Sequence, residues 1–153
     1  MTQVTIIMGS ASDRPIAQKA EKILKKFNIT FETFVASAHR TPARVVDVIE
    51  KSEAKVFIAL AGLSAALPGV VAAHTLKPVI GVPCTSSSSP ANLDSLLSVV
   101  QMPPGVPVAG VGLGRGENAA LLAARILGLS DERVDNMLVS YSKELEQKTI
   151  DSN

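Results

Sequence analysis

A histidine and an arginine stand side by side where a predicted strand gives way to a predicted helix. His39 has the side chain whose ordinary pKa lies nearest neutrality, so it can both donate and accept a proton at cellular pH. Arg40 offers a planar fork of donors that suits a phosphate or a carboxylate. Thr41 is of the type that N-caps helices and Pro42 suits the first helical position, which predicts a tight turn where α/β proteins bind ligands. The alternative is a surface His-Arg pair, since most single histidines are not catalytic.

Two further turns carry groups that could bind a nucleotide. The turn Gly9 to Asp13 brings backbone N–H groups to the start of a predicted helix. Its side chains Ser10, Ser12 and Asp13 suit a phosphate and a sugar hydroxyl. The turn Ala61 to Gly69, which includes Gly62 and Ser64, is so rich in Gly and Ala that a planar ligand could lie against its backbone.

Strand and helix patterns alternate five times along the chain. Short apolar runs predict strands at Val4–Met8, Thr30–Val35, Val56–Leu60, Pro78–Val82 and Val106–Val111. Helical spacing predicts helices from Pro15 to about Phe27, from Pro42 to about Ser52 with Val45, Val46 and Ile49 inward, from the third turn to about Thr75, from Ala91 to Val100, and from Glu117 to Leu127. We expect one domain over residues 1–153.

This alternation predicts an open parallel sheet covered by helices on both faces. The favoured fold is a flavodoxin-like three-layer α/β sandwich with strand order 2-1-3-4-5. In that order the loops after strands 1, 2 and 3 meet at one edge of the sheet. The three turns should therefore form one pocket.

Composition restricts the class of protein. Residues of hydrophobic type make up 46% and aromatic residues only 3%, which favours a core of Val, Ile, Leu and Ala. The net charge of +1 argues against a protein that binds nucleic acids or membranes, because such proteins need clustered basic residues, and the sequence has no such cluster. Because Met1-Thr2-Gln3 runs directly into a strand, no signal peptide is expected, and no apolar run is long enough to span a bilayer. The single cysteine fits a reducing compartment, so we predict a cytoplasmic protein.

Other chemically suggestive residues have simpler explanations. The run Gly114 to Ala119 matches a loose dinucleotide fingerprint, but no strand follows it, so a glycine turn closing one wall of the pocket is favoured. Cys84 has no histidine placed to activate it and is predicted to be a small apolar filler. His74 is expected to satisfy carbonyls at the end of a helix. With two histidines and one cysteine far apart, no metal site is predicted.

The last segment and one serine-rich loop complete the expectations. The stripe of Val134, Met137, Leu138, Tyr141 and Leu145 predicts an amphipathic helix over about residues 131–148, with Ser130 as its cap. Such a helix can pack on its own domain or cross to a neighbour, and the high apolar content of a chain of this size favours a homo-oligomer. The loop Ser86–Ser89 is predicted to be a mobile lid.

Five motifs occur in a characteristic order between Val4 and Leu127: Gly9-Ser10-Ala11-Ser12-Asp13, Ser37-Ala38-His39-Arg40-Thr41-Pro42, Ala61-Gly62 through Leu67-Pro68-Gly69, Gln101-Met102-Pro103-Pro104-Gly105, and Asn118 through Ala124. With them the chain resembles the PurE family of purine biosynthesis. The resemblance implies a flavodoxin-like subunit in a homo-octamer. It also implies conversion of N5-carboxyaminoimidazole ribonucleotide to 4-carboxyaminoimidazole ribonucleotide without metal or organic cofactor.

The resemblance assigns roles by position. Ser10, Asp13 and Arg40 would bind the nucleotide and His39 would be the general acid/base. The full predicted substrate-binding set is Gly9, Ser10, Ser12, Asp13, Ser37, Arg40, Gly62 and Ser64.

The third loop departs from the family pattern. Where most bacterial mutases of the family have Ala-Ala-His-Leu-Pro-Gly, this chain has Ala65-Ala66-Leu67-Pro68-Gly69. His74 cannot substitute, because eight residues of helix place it about 12 Å along the axis from Ala66. The alternatives are therefore direct carboxylation of aminoimidazole ribonucleotide by carbon dioxide and, from other classes, a nucleotide-binding paralogue without catalysis or a flavin carrier. The near absence of aromatic residues argues against the carrier.

Overall fold

The computed structural model describes residues 1–85 and 92–152. Its strands are β1 (Val4–Met8), β2 (Phe31–Val35), β3 (Val56–Ala61), β4 (Val79–Pro83) and β5 (Ala109–Gly110). Its helices are α1 (Arg14–Lys26), α2 (Pro42–Lys51), α3 (Leu67–Ala73), α4 (Leu93–Val100), α5 (Gly116–Gly128) and α6 (Glu132–Ile150), with a 3-10 turn at Ala11–Asp13. The predicted Ser86–Ser89 lid lies outside the described residues.

The five strands form one parallel sheet in the order β2-β1-β3-β4-β5, which confirms the predicted flavodoxin-like topology. Apart from the buried Thr5 of β1, both faces of the central strands are apolar, as expected for a sheet buried between helices. The side chains of Ile6 and Ile58 join the core under α1 and α5, whereas those of Ile7 and Phe57 join the core under α2 and α3. Period-two alternation thus produces a three-layer sandwich.

The fifth strand is much shorter than predicted. Only Ala109 and Gly110 pair with β4, opposite Ile80 and Gly81, whereas the sequence predicts a strand over 106–111. Pro107 has no N–H to donate to a ladder, so pairing cannot extend backward through it. Val106 N–H instead donates to the carbonyl of Pro103 in a turn.

Two helix details also differ from prediction. In α2 the buried side chains are Val45, Val48 and Ile49, and Val46 is partly exposed. The observed set follows the i, i+3, i+4 rule, which Val46 breaks by one position. The N-cap of α6 is Asp131, not Ser130, because the Asp131 carboxylate accepts from the backbone N–H groups of the next turn.

No helix in residues 1–85 or 92–152 combines the length and apolar content that crossing a bilayer requires.

Candidate active site

A cavity of about 590 Å³ opens at the carboxyl ends of β1, β2 and β3. The loops after these strands meet there because parallel strands all point the same way. The predicted residues that line it are Gly9, Ser10, Ser12, Asp13, Ser37, His39, Arg40 and Gly62. The structure therefore brings together the three turns that the sequence places far apart.

The first wall is the turn from Gly9 to Asp13, here called the serine loop, and it is held by its own hydrogen bonds. Ser10 Oγ accepts from Ser12 N at 3.3 Å and from Ser12 Oγ at 3.0 Å, and so caps the 3-10 turn. Asp13 N–H donates to Ser10 O at 3.1 Å. The hydroxyls of Ser10 and Ser12 lie at the cavity just before Asp13, the N-cap residue of α1, and donors close to a helix start suit an anion.

Asp13 is the buried ionisable group of this wall, with only 8% of its surface exposed. Burial raises the pKa of Asp13, because a charged carboxylate is costly away from water. Hydrogen bonds from the Cys84 thiol and the Ser10 backbone and the charge of Arg40 oppose that rise in pKa. Several partners thus hold the carboxyl group at the wall. Such a fixed carboxylate is suited to accept a hydrogen bond from a sugar hydroxyl.

The second wall is the turn that carries His39 and Arg40. Arg40 Nη2 donates to Gly9 O at 3.0 Å, so the arginine fastens the second turn to the first. Ser37 Oγ accepts from the Arg40 backbone N at 3.1 Å and from Arg40 Nε at 3.4 Å. His39 is exposed and faces the cavity. Thr41 occupies the N-cap position, but its hydroxyl bonds to Ser37 and makes no capping bond to α2.

The third wall is apolar apart from its backbone. Gly62, Leu63, Ala66 and Leu67 line the cavity, and Leu63 is 64% exposed. Ser64, predicted to bind substrate, is not among the lining residues. Its backbone N–H is directed away to Asp94 Oδ2 of α4, at 3.3 Å.

This third turn uses left-handed backbone at two residues that are not glycine. Ser64 has φ of 59° and Ala65 has φ of 31°. Ala65 N–H donates to Gly62 O at 3.1 Å, which closes the turn and directs Ala66 to the cavity. Propensity gives no sign of this conformation, because serine and alanine rarely adopt it.

Thr85 is the lining residue that lies outside the three predicted turns. The lining residues that lie within those turns but were not individually predicted are Ala38, Ala61, Leu63, Ala66 and Leu67. Most are apolar residues that neighbour predicted ones, and small apolar types carry no chemical signal of their own. Thr85 follows β4, so its position after a strand was the available signal.

The glycine run at 114–116 has a different role from the predicted one. It is absent from the lining of the cavity. A Cβ built on Gly116 would lie 2.2 Å from the carbonyl oxygen of Ile16, so this glycine lets α5 pack closely against α1. The predicted pocket wall is therefore a helix-packing site.

Cys84 and His74 take the places expected of structural residues. Cys84 is 1% exposed and belongs to the core under α1 and α5. Burial raises the pKa of its thiol, as expected of a filler and not of a nucleophile. His74 follows the last residue of α3, where its backbone N–H, and not the predicted ring, donates to Val71 O at 3.0 Å.

Comparison with known proteins places this geometry in a family. The model of the family described as AIR carboxylase matches residues 3–148. The chain is 55% identical to the N5-carboxyaminoimidazole ribonucleotide mutase of Methanocaldococcus jannaschii, over 97% of this chain and 94% of that one. It is 50% identical to the mutase of the same name from Mycobacterium leprae, over 94% of this chain and 85% of that one.

A solved structure shows the same architecture. The crystal structure of Treponema denticola PurE superimposes with a TM-score of 0.87 at 36% identity, covering 99% of this chain and 96% of that chain. The resemblance to PurE proteins suggested by the motifs is confirmed, and the chain belongs to the AIR carboxylase family.

Proposed function

We propose that this protein is an N5-carboxyaminoimidazole ribonucleotide mutase, an isomerase of purine biosynthesis. The observation that carries the proposal is the convergence of His39 and Arg40 with the serine loop and Asp13 around one cavity. Relatives that match nearly the whole chain bear this name. The product would be 4-carboxyaminoimidazole ribonucleotide.

The chemistry of the walls assigns the parts of the substrate. The phosphate would lie against the hydroxyls of Ser10, Ser12 and Ser37 and the guanidinium of Arg40, because these groups are donors near a helix start. Asp13 would accept from a ribose hydroxyl. The imidazole ring would then lie against the third wall at Gly62, and these remote contacts would hold the ring for reaction.

The reaction needs one proton to be given and one to be taken. When the carbamate C–N bond breaks, carbon dioxide leaves and the ring amine gains a proton. The adjacent ring carbon then attacks the carbon dioxide, forms the new C–C bond and loses its own proton. His39 at the cavity can serve both steps as general acid and then general base, so that the proton count closes without a co-reactant.

The apolar third wall has a role in this scheme. The side chains of Leu63, Ala66 and Leu67 line the cavity and carry no nucleophile that could react with the released carbon dioxide in place of the ring carbon. Exclusion of water keeps the gas beside the ring, and holding both pieces together supplies the proximity effect. The backbone N–H of the Gly62 turn can steer the migrating carboxylate in place of the histidine that most bacterial mutases have.

His39→Asn tests the assignment. We expect turnover of the N5-carboxylated nucleotide to fall by about a hundredfold or more, since positioned acid-base groups contribute at least that much. Nucleotide affinity should be retained, because the phosphate and ribose contacts are elsewhere. His74→Asn is the matched control, since His74 is exposed and absent from the cavity lining, and it should turn over normally. Near-normal turnover by His39→Asn would refute the role.

A substrate comparison distinguishes the mutase from a direct carboxylase. One preparation is offered the N5-carboxylated nucleotide, or aminoimidazole ribonucleotide with bicarbonate, and the specificity constants are compared. We expect preference for the first. Preference for the second would make the chain a carboxylase, and activity on neither with retained nucleotide binding would make it a non-catalytic paralogue.

We also propose that residues 1–153 form one catalytic domain, that the enzyme works in the cytoplasm, and that it assembles as a homo-octamer. The exposed apolar side chains of α6 support assembly.

A further inference from the structure

The turn that carries His39 and Arg40 is closed on itself by Thr41. Thr41 N–H donates to Ser37 O at 2.9 Å, which makes a five-residue turn of the i to i+4 type. The Thr41 hydroxyl accepts from Ser37 N–H at 2.9 Å and lies 3.3 Å from Ser37 O, to which it donates. Three contacts therefore join the two ends of the turn, with His39 at its middle.

This use of a threonine at the N-cap position is unusual. An N-cap hydroxyl ordinarily accepts from the N–H groups of the first helical turn. The Thr41 hydroxyl makes no such bond to α2. Pro42 at the first position does not account for this, because the N–H groups that a cap ordinarily serves belong to the second and third helical residues. Thr41 is exposed, so packing of its methyl group does not explain why a threonine occupies this position.

The closed turn connects onward to the opposite wall of the cavity. Ser37, which Thr41 holds by its backbone, holds the Arg40 backbone N–H and Nε through its own hydroxyl. Arg40 in turn donates to Gly9 O. A continuous series of bonds thus runs from Thr41 through Ser37 and Arg40 to the serine loop.

We infer that Thr41 is a positioning residue, whose hydroxyl sets where His39 and Arg40 stand relative to the serine loop by holding Ser37. This rests on the proposed function, since it takes His39 as the group that transfers the proton. Without the hydroxyl, two of the three contacts that close the turn are lost. The backbone bond alone leaves the His39 ring free to sample other positions, and a displacement of about 1 Å at a reacting group can cost about a hundredfold in rate.

The test replaces only the hydroxyl. Thr41→Val keeps the shape of the side chain without its donor and acceptor, and Thr41→Ser keeps the hydroxyl. We expect kcat/KM for the N5-carboxylated nucleotide to fall by about ten- to a hundredfold in Thr41→Val and to stay within about threefold of the parent protein in Thr41→Ser. Thr30→Val is the matched control, because Thr30 is also exposed and its hydroxyl donates to Met1 O at 2.7 Å, outside the cavity lining. It should leave kcat/KM unchanged.

A direct readout uses the fact that the chain has only two histidines. With histidine labelled at Cε1, NMR shows one signal for His39 and one for His74, assigned through His39→Asn. Thr41→Val should shift or broaden the His39 signal and leave that of His74 unchanged, which a general loss of stability would not do.

The outcomes separate the inference from the proposed function. A fall in kcat/KM of less than about tenfold in Thr41→Val, Thr41→Ser as impaired as Thr41→Val, or an unmoved His39 signal would each overturn the positioning role. An unfolded Thr41→Val by circular dichroism would overturn it too, because the inference requires an intact fold. If the parent protein itself is inactive, the proposed function fails, and the His39 signal still tests the positioning.

Discussion

Asp13 is a buried carboxyl group whose ionisation costs stability. Because burial raises the pKa of its carboxyl group, the native state holds a proton there more strongly than the unfolded chain does. The stability associated with that proton is present below the unfolded pKa, about 3.8, and is lost as pH rises through the native pKa.

Asp13→Asn should remove this dependence. We expect the free energy of unfolding of the variant, relative to the parent protein, to increase as pH rises from about 4 to 7, because the amide has no charge to bury. Urea unfolding at a series of pH values measures it, with Asp135→Asn as a control at an exposed position. A difference that does not vary with pH would contradict the buried-charge explanation.

Arg40 donates a hydrogen bond to Gly9 O at the cavity wall, and in the proposed function its charge would also bind the substrate phosphate. Arg40→Ala should weaken nucleotide affinity by about 1–3 kcal/mol, the range for a lost charge-assisted hydrogen bond. Arg40→Lys should recover only part of that loss, since an ammonium lacks the planar fork.

Titration calorimetry with the nucleotide measures these affinities. Arg44→Ala is the control, because Arg44 is also exposed on the same stretch and bonds to Val35 O, but does not line the cavity. Unchanged affinity in Arg40→Ala would place the phosphate elsewhere.

At the scale of elements, the contact of α1 with α5 depends on the smallest residue. Gly116 begins α5, and a Cβ there would meet the backbone oxygen of Ile16 at 2.2 Å and the backbone nitrogen of Ala20 at 3.3 Å. Backbone atoms cannot move aside as a flexible side chain does, so the helices would have to separate.

Gly116→Ala should therefore lower the free energy of unfolding by about 2–3 kcal/mol, the upper part of the usual range for overpacking. Gly128→Ala is the matched control in the same helix, because its nearest atom is Leu138 Cδ1 at 3.4 Å. There the gain in helix propensity should leave stability equal or slightly higher. Equal effects of the two substitutions in thermal unfolding would show that propensity, and not helix contact, governs Gly116.

At the scale of the whole molecule, α6 extends the apolar stripe beyond the domain it packs on. Val134 is fully buried, and Leu138 and Tyr141 are partly buried against the core. Leu145 continues the same stripe by one helical turn, yet it is 45% exposed. An apolar stripe that outlasts its own core is typical of a subunit contact.

Leu145→Glu should weaken assembly. For an octamer of 16.0 kDa subunits, light scattering after size exclusion should give about 128 kDa, eight times 16.0 kDa, for the parent protein and a smaller mass for the variant. A buried glutamate at a contact is the physical cause. Lys143→Glu, an exposed position on α6, should leave the mass unchanged. A parent protein of 16 kDa would refute the octamer.

Much of this molecule could be predicted from local sequence. The central strands β1 and β3 begin where the apolar runs begin, because a strand buried on both faces is apolar at nearly every position, and the one polar residue of β1, Thr5, is hydrogen-bonded to Ser52. Once the strands are parallel, the loops after β1, β2 and β3 must meet at one edge, so the joining of His39 and Arg40 with the serine loop followed from order along the chain.

What only the tertiary structure decided depends on contacts between distant residues. The burial that raises the pKa of Asp13, the close approach of α5 to Ile16 O, and the bond of Asp94 to the left-handed Ser64 involve partners far away along the chain. Thr41 shows the limit at short range, since its residue type is typical of an N-cap, yet its hydroxyl bonds to Ser37 and makes no bond to α2. The preference of threonine for N-cap positions predicts a hydroxyl bond to α2. The bond to Ser37 forms instead, because the backbone bond and the hydroxyl bonds that close the turn form together.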